Sequence, residues 1–297
     1  MVQDKRELLK QPLHGIYIPV LLILFGTWIF SWSYMPYSIA FIVIILSYKF
    51  YGALSRRSSL HKVKWQDFEL IDKTLIAPMT SIYRFKLNNE REILEIPTGH
   101  HVACCFTIDG KDEIRYYSPI SNQFDVGFFD ILVKHYKNGV VTRKLSNLQI
   151  GQTCKFRGPF GKLDYQPNMC KELGLIAGGT GITPILQVIT AVITNLDDNT
   201  KINLIFANEH EKDILLKNEL DDIASKYPNL NIYYTLTYAP ENWTGGEGYI
   251  SKEMIENYMP KPIEGNQIFI CGPPEMKKMC IELTNEIGWN KEQVFCF

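Results

Sequence analysis

The 297-residue chain lacks the features that mark several common classes of protein. It has no excess of either charge, since 31 Lys and Arg oppose 32 Asp and Glu, and we therefore expect no nucleic-acid partner. Its seven cysteines form no Cys-x-x-Cys pair and are odd in number, which argues against a disulfide framework and against a zinc site. We expect no metal centre and a reducing compartment.

Residues 15–48 contain no Asp, Glu, Lys, Arg or His, and this absence of charge predicts a membrane segment. A helix crosses the hydrocarbon with about 20 residues, so the run is too long for one comfortable span. Ser, Trp, Tyr and Pro interrupt it at residues 31–36, as a turn at the headgroup level requires. The pattern predicts a helical hairpin with legs at about 15–30 and 37–54; one tilted span plus an interfacial helix is the alternative.

Basic residues flank the apolar run on both sides, and positive charge marks the cytosolic side of a membrane. We therefore expect the rest of the chain to face the cytosol, with residues 1–64 forming a membrane anchor and a basic tether. The flanking residues are Lys5, Arg6 and Lys10 before the run and Arg56, Arg57, Lys62 and Lys64 after it.

In the remainder of the chain, the pattern of predicted secondary structure changes near residue 167. Residues 68–71, 82–87, 101–106 and 128–133 are short apolar or β-branched runs separated by Pro, Gly, Asn and Asp. This spacing predicts an antiparallel β-barrel over residues 65–167.

Strands then alternate with helical patterns, which predicts a parallel α/β domain over residues 168–297. The predicted strands are residues 173–177, 202–206, 232–236 and 267–271, and the predicted helices are 185–196, 215–224 and 275–287.

Gly178-Gly179-Thr180-Gly181 lies between a predicted strand and a predicted helix, where backbone N–H groups and the helix dipole can bind phosphate. It is neither the Gly-x-Gly-x-x-Gly fingerprint nor a P-loop. Glycines that merely permit a tight turn are the alternative explanation.

Arg115-Tyr116-Tyr117-Ser118 lies in an extended segment, so Arg115 and Tyr117 are expected on one face. A flavin suits that face, because the Tyr117 ring can stack, the guanidinium can pair with phosphate and the Ser118 hydroxyl can approach the ring edge. An ordinary half-buried strand with a solvated Arg is the alternative.

Cys271-Gly272-Pro273-Pro274 follows the last predicted strand, and ligands of open α/β sheets bind at the carboxyl ends of strands. The Cys271 thiol is therefore a candidate for the cleft. A small buried apolar residue is the usual alternative for a free cysteine.

In order and spacing, these motifs resemble those of the NADH–cytochrome b5 reductase family. The resemblance covers residues 65–297, the part of the chain that follows the tether. Two further segments, residues 156–159 (Phe-Arg-Gly-Pro) and 206–216, strengthen the resemblance. The family combines an FAD-binding antiparallel barrel with an NAD-binding α/β domain. A hydride passes from NADH to FAD and single electrons then pass to a haem protein.

The resemblance assigns a role to each candidate residue. Arg115 contacts the FAD phosphates, Tyr117 stacks on the flavin, and Ser118 lies near its N5 atom. Tyr116, on the same strand, is a further cofactor-binding residue. Leu132 and Lys134 border the cofactor. Residues named as catalytic are Tyr117, Ser118 and Cys271, of which Cys271 lies near the nicotinamide. Thr183 reaches toward the flavin. Those that hold the nicotinamide nucleotide are Gly178, Gly179, Thr180, Gly181, Gly272 and Pro273.

Two positions depart from the family pattern. Val140, Val141 and Thr142 stand where the family has Lys-Met-Ser or Lys-Met-Thr to hold the FAD pyrophosphate, so Val140 lacks the basic charge. Thr237 stands where members often have Asp, an acid that disfavours a 2′-phosphate. We expect FAD and NADH as cofactors, with NADPH as a possible second donor.

The resemblance implies a cytochrome b5-like acidic haem protein and a membrane as partners, the endoplasmic reticulum being favoured over the mitochondrial outer membrane. Lys134, Lys137, Arg143, Lys144 and Lys162 are candidates for steering the acidic acceptor. Two alternatives stay open: a reductase for a quinone or another acceptor, and a catalytically retired reductase fold that shapes or scaffolds membranes.

Overall fold

The computed structural model describes residues 14–30, 32–54, 60–121, 125–136 and 138–297. Several residues to which the predictions above refer lie outside the described residues, namely Lys5, Arg6, Lys10, Arg56, Arg57 and Lys137. The chain divides into two units, Met1–Arg57 and Ser58–Phe297.

The first unit contains two helices. Helix α1 spans His14–Phe30 and helix α2 spans Met35–Leu54, with a 3-10 turn at Trp32–Tyr34 between them. The Thr27 hydroxyl lies 3.5 Å from the Met35 sulfur and so connects the two helices. Within the described ranges, no helix has both the length and the apolar character needed to cross a membrane.

The second unit begins with an antiparallel sheet of six strands in the order β4-β3-β6-β1-β2-β5. A single antiparallel bridge between Pro119 and Ile131 joins the β4 end to β5, so the two edges of the sheet meet and the sheet curls into a barrel. The elements are β1 (Gln66–Ala77), β2 (Thr80–Lys86), β3 (His101–Ile108), β4 (Lys111–Tyr117), β5 (Phe128–Lys134), α3 (Val140–Asn147) and β6 (Thr153–Phe160).

Aromatic rings fill the interior of this barrel. Phe68, Phe85, Phe129 and Phe156 are fully buried, and the Phe85 and Phe156 ring centroids lie 4.8 Å apart in an edge-to-face arrangement. Alternation of inward and outward residues along the strands brings these rings together. The core supports the strand that carries Tyr117, whose ring packs against it.

The rest of the second unit is a parallel sheet of six strands in the order β10-β9-β8-β7-β11-β12. Its elements are β7 (Glu172–Gly178), α4 (Ile182–Thr194), β8 (Lys201–Asn208), α5 (Lys217–Lys226), β9 (Leu230–Leu236), β10 (Gly246–Glu247), α6 (Lys252–Tyr258), β11 (Asn266–Cys271), α7 (Pro274–Ile287) and β12 (Val294–Cys296).

The order in which strands are added to this sheet reverses between β7 and β11. Strands β8 and β9 are added on one side of β7, whereas β11 pairs with its other side, from Asn266 opposite Glu172 to Cys271 opposite Ala177. Ligands of open α/β sheets bind outside the carboxyl ends of the strands at such a switch point. The ends of β7 and β11 carry the glycine turn and Cys271.

The two predicted domain classes, an antiparallel barrel followed by a parallel α/β domain, are confirmed. The predicted helix at residues 185–196 begins three residues earlier, because residues 182–184 continue the turn directly into α4. The sequence patterns did not predict α3, β6, β10, α6 or β12. Helix α3 is only eight residues long and buries just Val141 and Leu145, which is a weak periodic signal.

A buried carboxylate fixes the segment that joins the two domains. Asp198 is 4% exposed, and its oxygens accept hydrogen bonds from the Tyr165 hydroxyl at 2.7 Å, the Thr200 hydroxyl at 2.7 Å and the Asn168 backbone at 3.2 Å. Burial acts to raise the pKa of Asp198, but these hydrogen bonds outweigh it and hold the pKa below its ordinary value. Tyr165 and Asn168 are thereby tied to the start of β8.

The substitution Asp198→Asn is expected to lower the free energy of unfolding at pH 7 by about 1–3 kcal/mol, as loss of charged hydrogen bonds does. Because the folded-state pKa is depressed, this contribution is present above the ordinary pKa of 3.8 and is lost as pH falls through the folded value. Urea unfolding at pH 7 and pH 3 measures it, with the exposed neighbour Asp197→Asn as control. An equal deficit at both pH values would show that the charge is not the source.

Candidate functional site

A cleft of about 1610 Å³ lies in the second unit, between the barrel and the α/β domain. It exceeds the roughly 300–1,000 Å³ of a pocket for one small ligand, so it has room for two. Every site residue predicted from the sequence lines it, namely Arg115, Tyr116, Tyr117, Ser118, Leu132, Lys134, Val140, Val141, Thr142, Gly178, Gly179, Thr180, Gly181, Thr183, Cys271, Gly272 and Pro273.

The end of β4 forms one part of the barrel wall. The Arg115 side chain is 51% exposed, and its Nη1 donates to the Ile114 carbonyl at 2.7 Å and lies 3.4 Å from a Glu113 carboxylate oxygen. The guanidinium thus keeps free donor capacity toward the cleft. The Tyr116 ring packs edge-on against His101, with centroids 5.1 Å apart.

The Tyr117 hydroxyl is buried and has no hydrogen-bond partner among the described residues. Burial raises the pKa of Tyr117, with smaller contributions from the Cys104 and Cys154 thiols nearby. The phenol is therefore a neutral donor at physiological pH. A buried unpaired hydroxyl costs free energy unless a ligand pairs with it, and Tyr117 is one of the residues that line the cleft.

Helix α3 directs its first turn at the same wall. Its N-cap residue, Gly139, supplies no side-chain cap, so the first backbone N–H groups are available to an anion. The Thr142 hydroxyl is buried without a partner in the part of the chain that the structure describes. A Cβ on Gly139 would collide with this hydroxyl, so a larger residue there would require the Thr142 side chain to move.

His135 holds α3 in place. Its Nδ1 lies 3.1 Å from the Thr142 carbonyl and its Nε2 lies 3.1 Å from the Tyr83 hydroxyl. The carbonyl accepts, so Nδ1 carries the proton and Nε2 accepts from Tyr83. Burial lowers the pKa of His135 despite the Thr142 bond, which keeps the imidazole neutral in this role.

Leu132 and Lys134 lie on β5 where the barrel meets the α/β domain. Leu132 is buried in the hydrophobic core of the α/β domain. The Lys134 ammonium lies 3.7 Å from the Asp213 carboxylate, which follows β8 in the other domain. Lys134 therefore bridges the domains at the edge of the cleft.

The glycine turn forms the opposite wall. Gly179 has φ +52°, a conformation that favours glycine, and a Cβ there would meet no atom within 4 Å. Gly181 needs to be glycine for a different reason, since a Cβ would collide with the Cys271 carbonyl and lie 2.8 Å from the Gly272 nitrogen. The turn thus packs directly on the end of β11 and leaves open space beside Gly179.

Helix α4 starts at the glycine turn without a side-chain cap, so its N-terminal dipole faces the cleft. Thr183 in its first turn is 7% exposed, and its hydroxyl donates to the Thr180 carbonyl at 3.2 Å. The predicted reach of Thr183 toward the flavin therefore requires this internal bond to be exchanged or shared.

The Cys271 thiol lines the cleft at the end of β11. Burial raises its pKa to about 12, and nearby Lys277 opposes the shift only in part. The thiol is thus protonated at physiological pH. It is a small neutral neighbour for a ligand rather than a nucleophile.

Asn208 is a site residue that the sequence analysis did not assign. It ends β8, is 7% exposed and lines the cleft, and neither its amide oxygen nor its amide nitrogen has a partner among the described residues. The Thr237 backbone N–H donates to the Asn208 carbonyl at 3.0 Å, and Thr237 also lines the cleft. Position at the end of a predicted parallel strand was the available signal.

The cleft fits both cofactors expected from the sequence. The barrel wall offers an aromatic side chain, a guanidinium, an uncapped helix start and two unpaired hydroxyls, which suit a phosphate-bearing flavin. The α/β wall offers a glycine turn, a second uncapped helix start and the unpaired Asn208 amide, which suit a dinucleotide.

Two family models match the chain, the oxidoreductase FAD-binding domain over residues 67–165 and the oxidoreductase NAD-binding domain over residues 175–282. The NADH-cytochrome b5 reductase 1 of Neosartorya fischeri is 43% identical, covering 97% of this chain and 98% of the relative. The chain belongs to the NADH–cytochrome b5 reductase family. Its expected nature as an FAD- and NADH-dependent oxidoreductase is confirmed.

Other reductases are similar as well. The plasma membrane-associated coenzyme Q6 reductase of Saccharomyces cerevisiae is 42% identical, covering 98% of this chain and 97% of the relative. Among solved structures, the cytochrome b5 reductase domain of Ulva prolifera nitrate reductase is 31% identical with a TM-score of 0.78, covering 81% of this chain and 100% of that one. The family relationship therefore extends over both domains of the second unit.

Proposed function

We propose that this reductase passes electrons from NADH, through FAD, to a cytochrome b5-type haem protein. The observation that carries the proposal is that one cleft is lined both by the residues of the barrel that suit a flavin and by the residues of the α/β domain that suit a dinucleotide. Bound FAD supplies the redox chemistry. It accepts a hydride, which is equivalent to two electrons and a proton, and it can release the two electrons one at a time.

In this proposal, the residues of the chain bind and orient FAD and the dinucleotide. Arg115 and the start of α3 hold the FAD phosphates, the Tyr117 phenol donates a hydrogen bond to the cofactor, and Ser118 lies beside its reacting edge. Residues 178–181 and the start of α4 hold the dinucleotide, with Cys271 beside the nicotinamide. No acid–base pair is needed, because neither substrate nor protein must lose a proton for hydride transfer.

Val140 lacks the positive charge expected at the pyrophosphate, and the structure suggests what replaces it. The uncapped start of α3 offers partial positive charge, and the Thr142 hydroxyl offers a neutral donor. We propose that FAD binding here relies on these dipoles and on Arg115 rather than on a lysine.

An acidic haem protein suits the basic side chains near the cleft. Arg143, Lys144 and Lys162 are exposed, and Lys162 lines the cleft itself. Opposite charges on the two partners would accelerate their encounter. Reduction of cytochrome b5 should therefore slow as ionic strength rises, and a rate that is independent of salt would oppose this step of the proposal.

A quinone is the second candidate acceptor. It is favoured by the name of the Saccharomyces cerevisiae relative, a coenzyme Q6 reductase. Comparing the catalytic efficiencies for soluble cytochrome b5 and for a short-chain ubiquinone separates the two acceptors.

Membrane association is a further part of the proposal. Helices α1 and α2 expose large apolar side chains, among them Leu22 at 65%, Phe25 at 58% and Trp28 at 58%, and exposed apolar clusters mark surfaces that bind protein or lipid. We propose that lipid covers them, on the cytosolic face of the endoplasmic reticulum or, as the yeast relative's name suggests, of the plasma membrane. Flotation of the full chain with liposomes tests this, and failure to float would refute it.

Anaerobic titration tests the enzyme proposal. The purified full chain should contain about one FAD, and NADH should bleach the flavin absorbance stoichiometrically. A protein that binds no flavin even after FAD is supplied would favour a retired scaffold fold. The Tyr117 and Thr142 hydroxyls have no partner in the part of the chain that the structure describes. They speak against that alternative, because a buried hydroxyl without a ligand to pair with it destabilises the fold.

A further inference from the structure

Gln187 joins α4 to two segments of the barrel through one side-chain amide. Its Nε2 donates to the Pro119 carbonyl at 2.7 Å, and its Oε1 accepts from the Gly99 backbone N–H at 2.9 Å. The amide is planar, so its two partners are held at a fixed separation and angle. One side chain thus satisfies a donor and an acceptor that belong to the other domain.

Both partners of Gln187 adjoin the cleft. Pro119 directly follows Ser118 at the end of the β4 segment, and Gly99 lines the cleft in the loop before β3. Gln187 does not line the cleft. It lies five residues after Ile182, where α4 begins at the glycine turn, so it can act on ligands only through the segments that it connects.

Two other contacts between the domains, both at β5, orient them less tightly. Apolar packing at Leu132 has no preferred direction, and the Lys134–Asp213 pair spans 3.7 Å, beyond the length of a strong charge-assisted hydrogen bond. The two short bonds of Gln187 restrict both sliding and rotation of α4 against the barrel.

We propose that Gln187 is a positioning residue that sets the glycine turn of the α/β domain against the flavin-binding strand of the barrel. The inference rests on the proposed function, in which a hydride crosses between the ligands of these two walls. Misplacement by about 1 Å can slow such a transfer by about 100-fold. Gln187 therefore governs the rate of hydride transfer more than the affinity for either cofactor.

The substitution Gln187→Met tests this, because methionine keeps the length and volume of the side chain but forms neither strong bond. At saturating NADH, flavin reduction measured by stopped flow should slow by about ten-fold or more. The NADH dissociation constant should change by less than about three-fold, because no ligand contact is lost. A deuterium isotope effect from NADH labelled at the transferred position confirms that hydride transfer is observed.

A second variant and a control sharpen the test. Gln187→Glu keeps the acceptor for Gly99 but loses the donor for Pro119, so it should also slow flavin reduction. Thr194→Ala, at the far end of α4, removes only a hydroxyl bonded to the Thr190 carbonyl and should leave the rate unchanged. Hydrogen–deuterium exchange at Gly99 should accelerate in Gln187→Met and remain slow in Gln187→Glu.

The outcomes separate this inference from the function on which it depends. If NADH does not reduce the flavin of the unmodified protein, the proposed function fails. If it does, and Gln187→Met reduces its flavin at an unchanged rate, only the positioning role fails. A variant that loses thermal stability or FAD but, when loaded, keeps the normal rate shows that Gln187 is merely structural.

Discussion

Replacement of Gly181 by alanine is expected to lower the rate of flavin reduction by NADH by about 100-fold. Gly181 has φ −61° and ψ −10°, a conformation that alanine adopts without strain. Its Cβ, however, would collide with the Cys271 carbonyl and approach the Gly272 nitrogen to 2.8 Å. These are backbone atoms, so either the glycine turn or the end of β11 must move, and both bind the nicotinamide nucleotide in our proposal.

The same substitution should leave FAD in place. The barrel wall, with Arg115, Tyr117 and the start of α3, does not contact Gly181 through any of the bonds described above. FAD content and reduction of the flavin by dithionite should therefore match those of the unmodified protein. Stopped-flow reduction by NADH measures the loss.

Gly26→Ala is a suitable control for this experiment, because a Cβ at Gly26 in α1 would meet no atom within 4 Å. It should reduce its flavin at the normal rate. Normal reduction by NADH in Gly181→Ala would contradict the packing of the turn on β11 as the basis of the nucleotide site.

The residues of both walls of the cleft could be predicted because each wall is built from a short, local sequence pattern. A strand that runs into glycines and then into an apolar helix defines the turn at residues 178–181, and a Cys at the end of a strand is expected at the ligand edge of a parallel sheet. These patterns depend on neighbours in the chain. Their placement around one cleft follows from the order of the strands.

Features that depend on distant residues could not be predicted in this way. The Gln187 amide contacts Gly99 and Pro119, which are far from it in sequence. The position of Asn208 near the end of a predicted strand hints at a role, but only the fold shows that its side-chain amide is buried with no partner among the described residues. Helix α3 is short, and its position depends on His135, which bonds the Thr142 carbonyl. Long-range hydrogen bonds leave no periodic trace in the sequence.

The choice between NADH and NADPH is expected to depend on Thr237. Thr237 follows β9, lines the cleft, and is joined to Asn208 by a backbone hydrogen bond of 3.0 Å. Glu209 lines the cleft beside it and supplies negative charge, but Thr237 itself supplies none. We therefore expect a preference for NADH together with measurable oxidation of NADPH, since the repulsion of a 2′-phosphate by an acid at this position is missing.

Thr237→Asp should lower the catalytic efficiency with NADPH, relative to that with NADH, by about ten-fold or more. The carboxylate can accept hydrogen bonds from a ribose diol but repels a phosphate dianion. Thr237→Asn is the matched control, because it has nearly the shape of Asp without the charge and should leave the ratio within about three-fold of the original.

Ionic strength distinguishes repulsion from a change of shape. Because added salt screens charges at a solvent-accessible site, the discrimination gained by Thr237→Asp should shrink as salt rises, whereas that of Thr237→Asn should not change. Steady-state kinetics with each donor at low and high salt provide the measurement. An equal loss of NADPH activity in both variants would mean that size, not charge, decides the donor at this position.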